Sequence, residues 1–188
     1  RQFKVLGPNS TVTTACATGT QSIGEGLEWI RHGRADVVIS GGTEAIIKDF
    51  TIAGFCAMRA LPTSYNDRPQ SASRPFDAKR EGFIFSEGAA SLVIESLEHA
   101  LSRGAHIYAE IIGQASSSDA LHIAQPDPEA KGPARAMRWA LDDANIQPQD
   151  VAYINAHGSS TPLNDPAETY AIKQRSEERR VGKECRSR

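Results

Sequence analysis

Apolar and polar positions change period several times along the chain, and each change marks an element. Thr11, Val12, Thr13 and Thr14 are β-branched and favour extended backbone, whereas Ile23, Leu27 and Ile30 recur at helical spacing. A strand therefore turns into a helix at Cys16. Gly19, Gly24 and Gly26 would each weaken an isolated helix by roughly 1 kcal/mol, which predicts a buried helix with close packing on both sides. His32-Gly33 supplies its stop, and the continuous apolar run at 35–40 reads as a strand covered on both faces and ended by Gly41-Gly42. Residues 51–61 are apolar, with Phe55, Met58 and Leu61 on one side, and 62–75 form a long polar loop of the kind that carries binding sites. Further on, 88–95 reads as a strand, 97–103 as a helix closed by Gly104, and 107–114 as another strand. Pro133 opens a helix through Ala144 with Met137 and Leu141 as its core stripe, before a strand at 151–156 that ends at His157. Strands and helices alternate, so the fold class is α/β.

Composition narrows the function. The 188 residues, 39% hydrophobic and 23% charged, suffice for one domain with a real core. The apolar runs are far shorter than the ~20 residues a membrane span needs, and the N-terminus lacks a charged start followed by an apolar core; a cytoplasmic location without membrane partners is expected. Three cysteines, at 16, 56 and 185, show no metal spacing, and their odd number argues against a disulfide scaffold. No metal site is expected, and Cys56 reads as core. The segment 175–188, RSEERRVGKECRSR, carries six basic and three acidic residues with almost nothing apolar. It can be back-translated into a sequencing adapter read in frame and is set aside as non-native. Three glutamates and no aromatics also count against a nucleic-acid tail. Without it, 15 basic residues face 20 acidic ones, so the remaining chain is more acidic than its formal charge of −2.

Two residues carry candidate chemistry. The amides and positive dipole end of a helix's first turn favour an anion, so a thiol at Cys16 is biased towards the nucleophilic thiolate; taken alone, Cys16 could equally be a small buried hydrophobe. A neutral imidazole at a strand end, as at His157, can donate a hydrogen bond to a carbonyl becoming an enolate, but taken alone His157 would read as a satisfied structural or surface histidine. The other histidines, at 32, 99, 106 and 122, read as structural or surface residues.

The motif Thr14-Ala15-Cys16-Ala17-Thr18-Gly19, followed by Ile23-Gly24 and the run ADVVISGGTE at 35–44, resembles the nucleophile region of the β-ketoacyl-acyl carrier protein synthases, most closely the elongating enzymes of bacterial fatty-acid synthesis. Matches continue in family order through Arg74-Pro75-Phe76-Asp77, Arg80-Glu81-Gly82-Phe83, Glu87-Gly88-Ala89, Ser117-Ser118-Asp119-Ala120 and Asn155-Ala156-His157-Gly158-Ser159-Ser160-Thr161-Pro162. The resemblance implies a thiolase-like five-layer αβαβα fold, incomplete at both ends. Residues 1–106 would be the later part of the first half and 107–174 the start of the second.

It also implies an activity: elongation of acyl chains on acyl carrier protein by decarboxylative Claisen condensation with malonyl thioester. Cys16 would hold the acyl group and, through its own amide, help bind the oxyanion; His157 would stabilise the enolate. Ser159 and Thr161 would meet the pantetheine arm, Ser159 standing where the family usually has threonine. Glu168 matches a glutamate that pairs with a catalytic lysine, or is a solvated helix-face charge. Phe55 matches an acyl-pocket wall, or is plain core. Arg59 matches a basic residue that meets the acidic carrier, or is an exposed arginine without a role. Substrates would ride on phosphopantetheine, with no bound cofactor, in a homodimer. The family's lysine, second histidine and glycine-rich donor would lie beyond Gln174, so this piece alone is expected to be inactive. Within the fold the runner-up is a polyketide-type ketosynthase; a catalytically incompetent homologue would lack Cys16, and an unrelated cysteine hydrolase would need a histidine placed as base.

Overall fold

A computed structural model describes residues 3–177; residues 178–188, including Cys185 and most of the segment set aside as non-native, lie outside the described residues. The chain divides into two units, residues 1–45 with 87–114, and residues 46–86 with 115–188.

The first unit is one helix laid on a hairpin-like pair of strands. Helix α1 (Thr18–Arg31) is followed by β1 (Val37–Glu44), which pairs antiparallel with β2 (Gly88–Glu95), Val37 opposite Glu95 and Glu44 opposite Gly88. Gly26 is the contact point: a Cβ there would lie 3.2 Å from Val38 and 3.3 Å from Ile94, so any larger residue would need these side chains to shift before the helix could settle onto the sheet. Leu27, Val38 and Ile94 are buried there. Ser22 adds a polar tie, its hydroxyl donating to the Gly41 carbonyl at 2.7 Å and accepting from Ser40 at 3.1 Å.

Four expectations change here. Gly41-Gly42 does not end β1; the strand runs on because Gly41 gives room for the backbone of Ala90 and Ser91, and Gly42 for that of Gly19. The helix is buried along one face, through Gly24, Gly26 and Leu27, rather than all round. The strand is likewise covered on one face: Val37, Ile39 and Val93 stay exposed on the other. Segment 107–114, expected as a strand, has no regular secondary structure, and among the described residues no strand pairs with it. It is held instead by Arg31, which donates to the Ile112 carbonyl at 2.8 Å, and by Gln114 packed on Gly24. Helix α3 (Leu97–Ser102) is capped by the Ser96 hydroxyl and closed by Gly104 in the left-handed region, φ 64°. Its last turn is tied back to β2 through Glu95, which accepts from Arg103 and from His99.

In the second unit, α2 (Asp49–Ala57) places Phe55 against Phe83 (centroids 5.1 Å apart, edge-on) and Phe85 (5.5 Å). Cys56, expected in the core, faces solvent, because the neighbouring Phe55 takes the inward side of this short helix. Helix α4 (Lys131–Ala144) starts two residues before Pro133: Ala130 turns the chain at φ 52°, and the Ser117 hydroxyl donates to the Gly132 carbonyl at 2.7 Å. It packs on α5 (Asn164–Glu177) through Ala130, Ala134, Ala167 and Ala171, with Met137 beside them. Small side chains let the two backbones approach closely. Segment 151–156, expected as a strand, has no regular secondary structure and no paired strand among the described residues, and it delivers the chain to His157.

One buried carboxylate organises this unit. Asp165, 2% exposed, accepts the amides of Phe76 (2.7 Å) and Ser160 (3.1 Å), with Arg80 Nε 3.9 Å away. Arg80 donates onward to the carbonyls of Thr161, Pro162 and Asp77. Loop 74–80 is thereby fastened to loop 157–162.

Two outcomes follow from this packing. Asp165→Ala strands two buried amides and a guanidinium, and should cost about 3 kcal/mol or more in a denaturant titration; a loss within 0.5 kcal/mol of a typical surface change would contradict the clasp. Arg103 first, and then His99, hold the Glu95 carboxyl down to about 2 from its ordinary 4.5, against the opposing effect of desolvation. Because the folded value lies below the unfolded one, the contribution is complete above 4.5 and is lost as pH falls towards 2. The stability difference between the parent and Glu95→Gln should therefore shrink over that acid interval and stay level from pH 5 to 8, as followed by denaturation at fixed pH.

Candidate functional site

Cys16 sits in the middle of a three-residue 3₁₀ turn, Ala15–Ala17, that leads directly into α1. The first bond of the turn is made by the Ala17 amide to the Thr14 carbonyl at 3.1 Å. The amides of Ala15 and Cys16 precede it, where a helix start leaves its donors to ligands, caps or water. The Thr14 amide donates to the Thr18 hydroxyl at 2.9 Å, which fixes the entry of the chain. Ala15 lies in the left-handed region at φ 48°, a conformation that a residue with a Cβ adopts at a cost. This kink turns the chain at the cysteine, and Cys16 is exposed. Its reading as a small buried hydrophobe is therefore set aside.

His157 opens the loop His157-Gly158-Ser159-Ser160-Thr161. Its imidazole side is exposed, and its amide donates to Glu168 Oε1 at 2.6 Å. The Gly158 amide donates to Glu168 Oε2 at 2.9 Å, so one carboxylate on α5 holds two successive amides of the histidine loop. Glu168 is thus neither solvated nor unused. Gly158 is left-handed at φ 51°, and a Cβ there would lie 3.1 Å from the Phe76 ring. Ser160 follows at φ 65°, buried, its hydroxyl accepting the Arg74 amide at 3.0 Å. The two hydroxyls singled out in the sequence lie side by side: Ser159 Oγ is 2.9 Å from Thr161 Oγ1, which also accepts the Asn164 amide at the start of α5. The structure brings His157, Ser159, Thr161 and Glu168 into one loop-and-helix unit.

Phe55 and Arg59 belong to α2 and its end. Phe55 is half-buried in the three-phenylalanine cluster, and Arg59 is exposed at φ 55°. Sequence reasoning gave no role to Asp165, Arg74, Arg80 or Glu81. Arg74, Arg80 and Glu81 stood inside matched motifs, and Asp165 stood one residue before a proline at a helix start; that Asp165, Arg80 and Glu81 hold loop backbone, and that Arg74 bonds the Tyr65 hydroxyl and pairs with Asp77, emerges only from the packing. Among the described residues no group of three His, Cys, Asp or Glu side chains is placed to hold a metal ion. No helix among them is long and apolar enough to cross a membrane.

Comparison with known proteins bears on both regions. The beta-ketoacyl synthase N-terminal domain family matches residues 1–100, and the beta-ketoacyl synthase C-terminal domain family matches residues 108–186. The chain is 56% identical over 167 residues to 3-oxoacyl-(acyl-carrier-protein) synthase 2 of Staphylococcus aureus, covering 89% of this chain and 41% of that protein. It is 51% identical over 173 residues to the protein of the same name from Coxiella burnetii, covering 92% of this chain and 42% of that one. The chain thus spans about two fifths of the length of the curated relatives it matches. Among solved structures, a ketosynthase in complex with its type II PKS acyl-carrier protein superposes with a TM-score of 0.84 at 44% identity, over 87% of this chain and 40% of that one. A beta-ketoacyl synthase from Burkholderia phymatum gives 0.82 at 43% identity, over 87% and 39%. The α/β, thiolase-like class expected from the sequence is the fold of these neighbours. With one family match covering the cysteine turn and the other the histidine loop, in sequence order, the chain belongs to the beta-ketoacyl synthase family.

Proposed function

We propose that this chain carries the nucleophile and one histidine of a β-ketoacyl-acyl carrier protein synthase, an acyltransferase that elongates acyl chains in fatty-acid biosynthesis. The observation that carries the reading is the exposed Cys16 in a kinked turn at the start of a 14-residue helix. The Cys16 sulfur attacks the carbonyl of an acyl thioester borne by the carrier, and the carrier thiol leaves with a proton. The tetrahedral oxyanion is met by amides at the helix start, the Cys16 amide among them. Malonyl thioester then loses CO₂, and the electron pair released forms an enolate whose oxygen accepts a hydrogen bond from His157. The enolate carbon attacks the acyl-cysteine carbonyl, a carbon–carbon bond forms, and the Cys16 thiolate is expelled. Thioester exchange suits cysteine, whose sulfur is both a strong nucleophile and a good leaving group.

Ser159 and Thr161 meet the pantetheine arm in this reading, Phe55 lines the acyl pocket, and Arg59 contacts the acidic acyl carrier protein. Glu168 keeps the His157 and Gly158 amides in place, whatever lysine it also meets. The full-length protein is a cytoplasmic homodimer that uses no bound cofactor, and residues 1–174 without the family's remaining groups are inactive. The 44% identity to a ketosynthase from a type II PKS supports a second reading, elongation in polyketide synthesis, with the same chemistry. Condensation assayed with no reductase present separates them: a polyketide enzyme extends its own unreduced β-ketoacyl product through further rounds, whereas a fatty-acid enzyme stops after one condensation.

Incubation of the full-length enzyme with an acyl thioester should add one acyl mass to the peptide bearing Cys16. Label on Cys56 instead would refute the assignment. Cys16→Ala should abolish condensation at a stability cost of only ~1 kcal/mol. His157→Ala should slow malonyl decarboxylation by roughly 10² to 10³ while acylation of Cys16 proceeds near the parent rate. Equal slowing of the two half-reactions would reduce His157 to a structural part.

A further inference from the structure

The end of α2 has an unusual occupant. The Arg59 amide donates to the Cys56 carbonyl at 2.9 Å and the Ala60 amide to the Phe55 carbonyl at 3.1 Å, the paired bonds of a Schellman ending. The left-handed position of such an ending usually belongs to glycine, yet here it is Arg59, exposed, at φ 55°. A strained backbone of this kind persists where its surroundings over-determine it.

Those surroundings are three consecutive residues, 81–83. The Glu81 carboxylate accepts the Thr63 amide at 2.9 Å, the Thr63 hydroxyl at 3.1 Å and the Ser64 amide at 3.3 Å. Gly82 lies so close beneath the turn that a Cβ would be 2.9 Å from the Leu61 carbonyl carbon and from the Pro62 nitrogen. The Phe83 amide closes the brace on the Ala60 carbonyl at 3.0 Å. Thr63 chiefly, with Ser64, also holds the Glu81 carboxyl below the usual carboxylate range against the effect of desolvation, so the brace is ionised at neutral pH.

We propose that Glu81 is a positioning residue for carrier-borne substrate: by fixing residues 60–64 it keeps Arg59 in its left-handed turn, with the guanidinium held out to an acidic partner. The proposal rests on the reading of Arg59 as the carrier contact. A charge that is already ordered loses less freedom when the partner arrives than one on a mobile turn.

The test is a double-mutant cycle in the full-length enzyme, with condensation measured on an acyl thioester borne by acyl carrier protein and on a small carrier-free acyl thioester. Glu81→Ala should raise KM for the carrier-borne substrate about tenfold, the scale of one lost charge-assisted hydrogen bond, with a much smaller change in kcat. In an Arg59→Ala background the same substitution should add nothing further, because it acts through Arg59. Glu81→Gln, which keeps an acceptor oxygen at the same reach, should recover most of the loss; if Glu81→Ala does not fold, Glu81→Asp, whose carboxylate is one methylene short of the Thr63 and Ser64 amides, carries the same cycle. Additive effects in the double variant, a kcat loss equal for both substrates, or an unchanged KM would each overturn the proposal while leaving the condensing activity standing. A parent enzyme that does not condense carrier-borne substrate would overturn the functional reading, and this proposal with it.

Discussion

The histidine loop depends on one interaction, the acceptance of two backbone amides by the buried carboxylate of Asp165. Phe76 and Ser160, the residues whose amides it takes, are both non-glycine residues in the left-handed region, at φ 61° and 65°. Each such conformation costs on the order of 1–3 kcal/mol. A charge-assisted bond to a buried carboxylate is worth about as much, so the strain and the clasp are balanced against each other rather than separate features. Arg80 sets a cation beside this buried carboxylate, its Nε 3.9 Å from Asp165 Oδ2. The same guanidinium reads the carbonyls of Thr161 and Pro162, so the loop is fixed from its amides and from its carbonyls.

Left-handed backbone recurs beside the residues with candidate chemistry. Ala15 precedes Cys16, Arg59 occupies the position itself, Gly158 follows His157, and Ser160 stands between Ser159 and Thr161. At Ala15 and Gly158 the neighbouring Cys16 and His157 are exposed, whereas Ser159 and Thr161 beside Ser160 stay half-buried and bonded to each other. At Gly158 the reason is steric, because the Phe76 ring fills the space a side chain would need. At Ala15 the side chain is small enough to tolerate the turn, and no larger β-branched residue would.

The sequence made the elements legible where the signal was local. Gly88–Glu95 as a strand, the stop at His32-Gly33 and the Gly104 closure of α3 rest on periodicity and glycine, both of which act within a few residues. It misled where the partner was distant. Gly41 and Gly42 look like a breaker until Ala90 and Gly19 are seen against them, and Cys56 looks like core until Phe55 takes the inward side. Segments 107–114 and 151–156 have strand composition, but a strand is defined by its partner, and among the described residues neither has one. In the site, Cys16 and His157 could be named from motifs, whereas Asp165 and Glu81 could not, because hydrogen bonding to amides some 90 or 20 residues away leaves no local trace.

The acidic side chains of the second unit are spent on backbone amides, and this decides what the site can do. Asp165 holds Phe76 and Ser160, Glu168 holds His157 and Gly158, and Glu81 holds Thr63 and Ser64. A carboxylate committed to two amides is a poor general base, since taking a proton would forfeit both bonds at once. The imidazole of His157, by contrast, is exposed and hangs from a loop whose amides are already satisfied. In the function proposed above, this arrangement favours proton-neutral work: the acidic residues fix the backbone, and the histidine would be left to donate a hydrogen bond to charge that develops on a substrate. Condensation by decarboxylation needs that combination, because loss of CO₂ generates the carbanion and no side chain has to abstract a proton to make it.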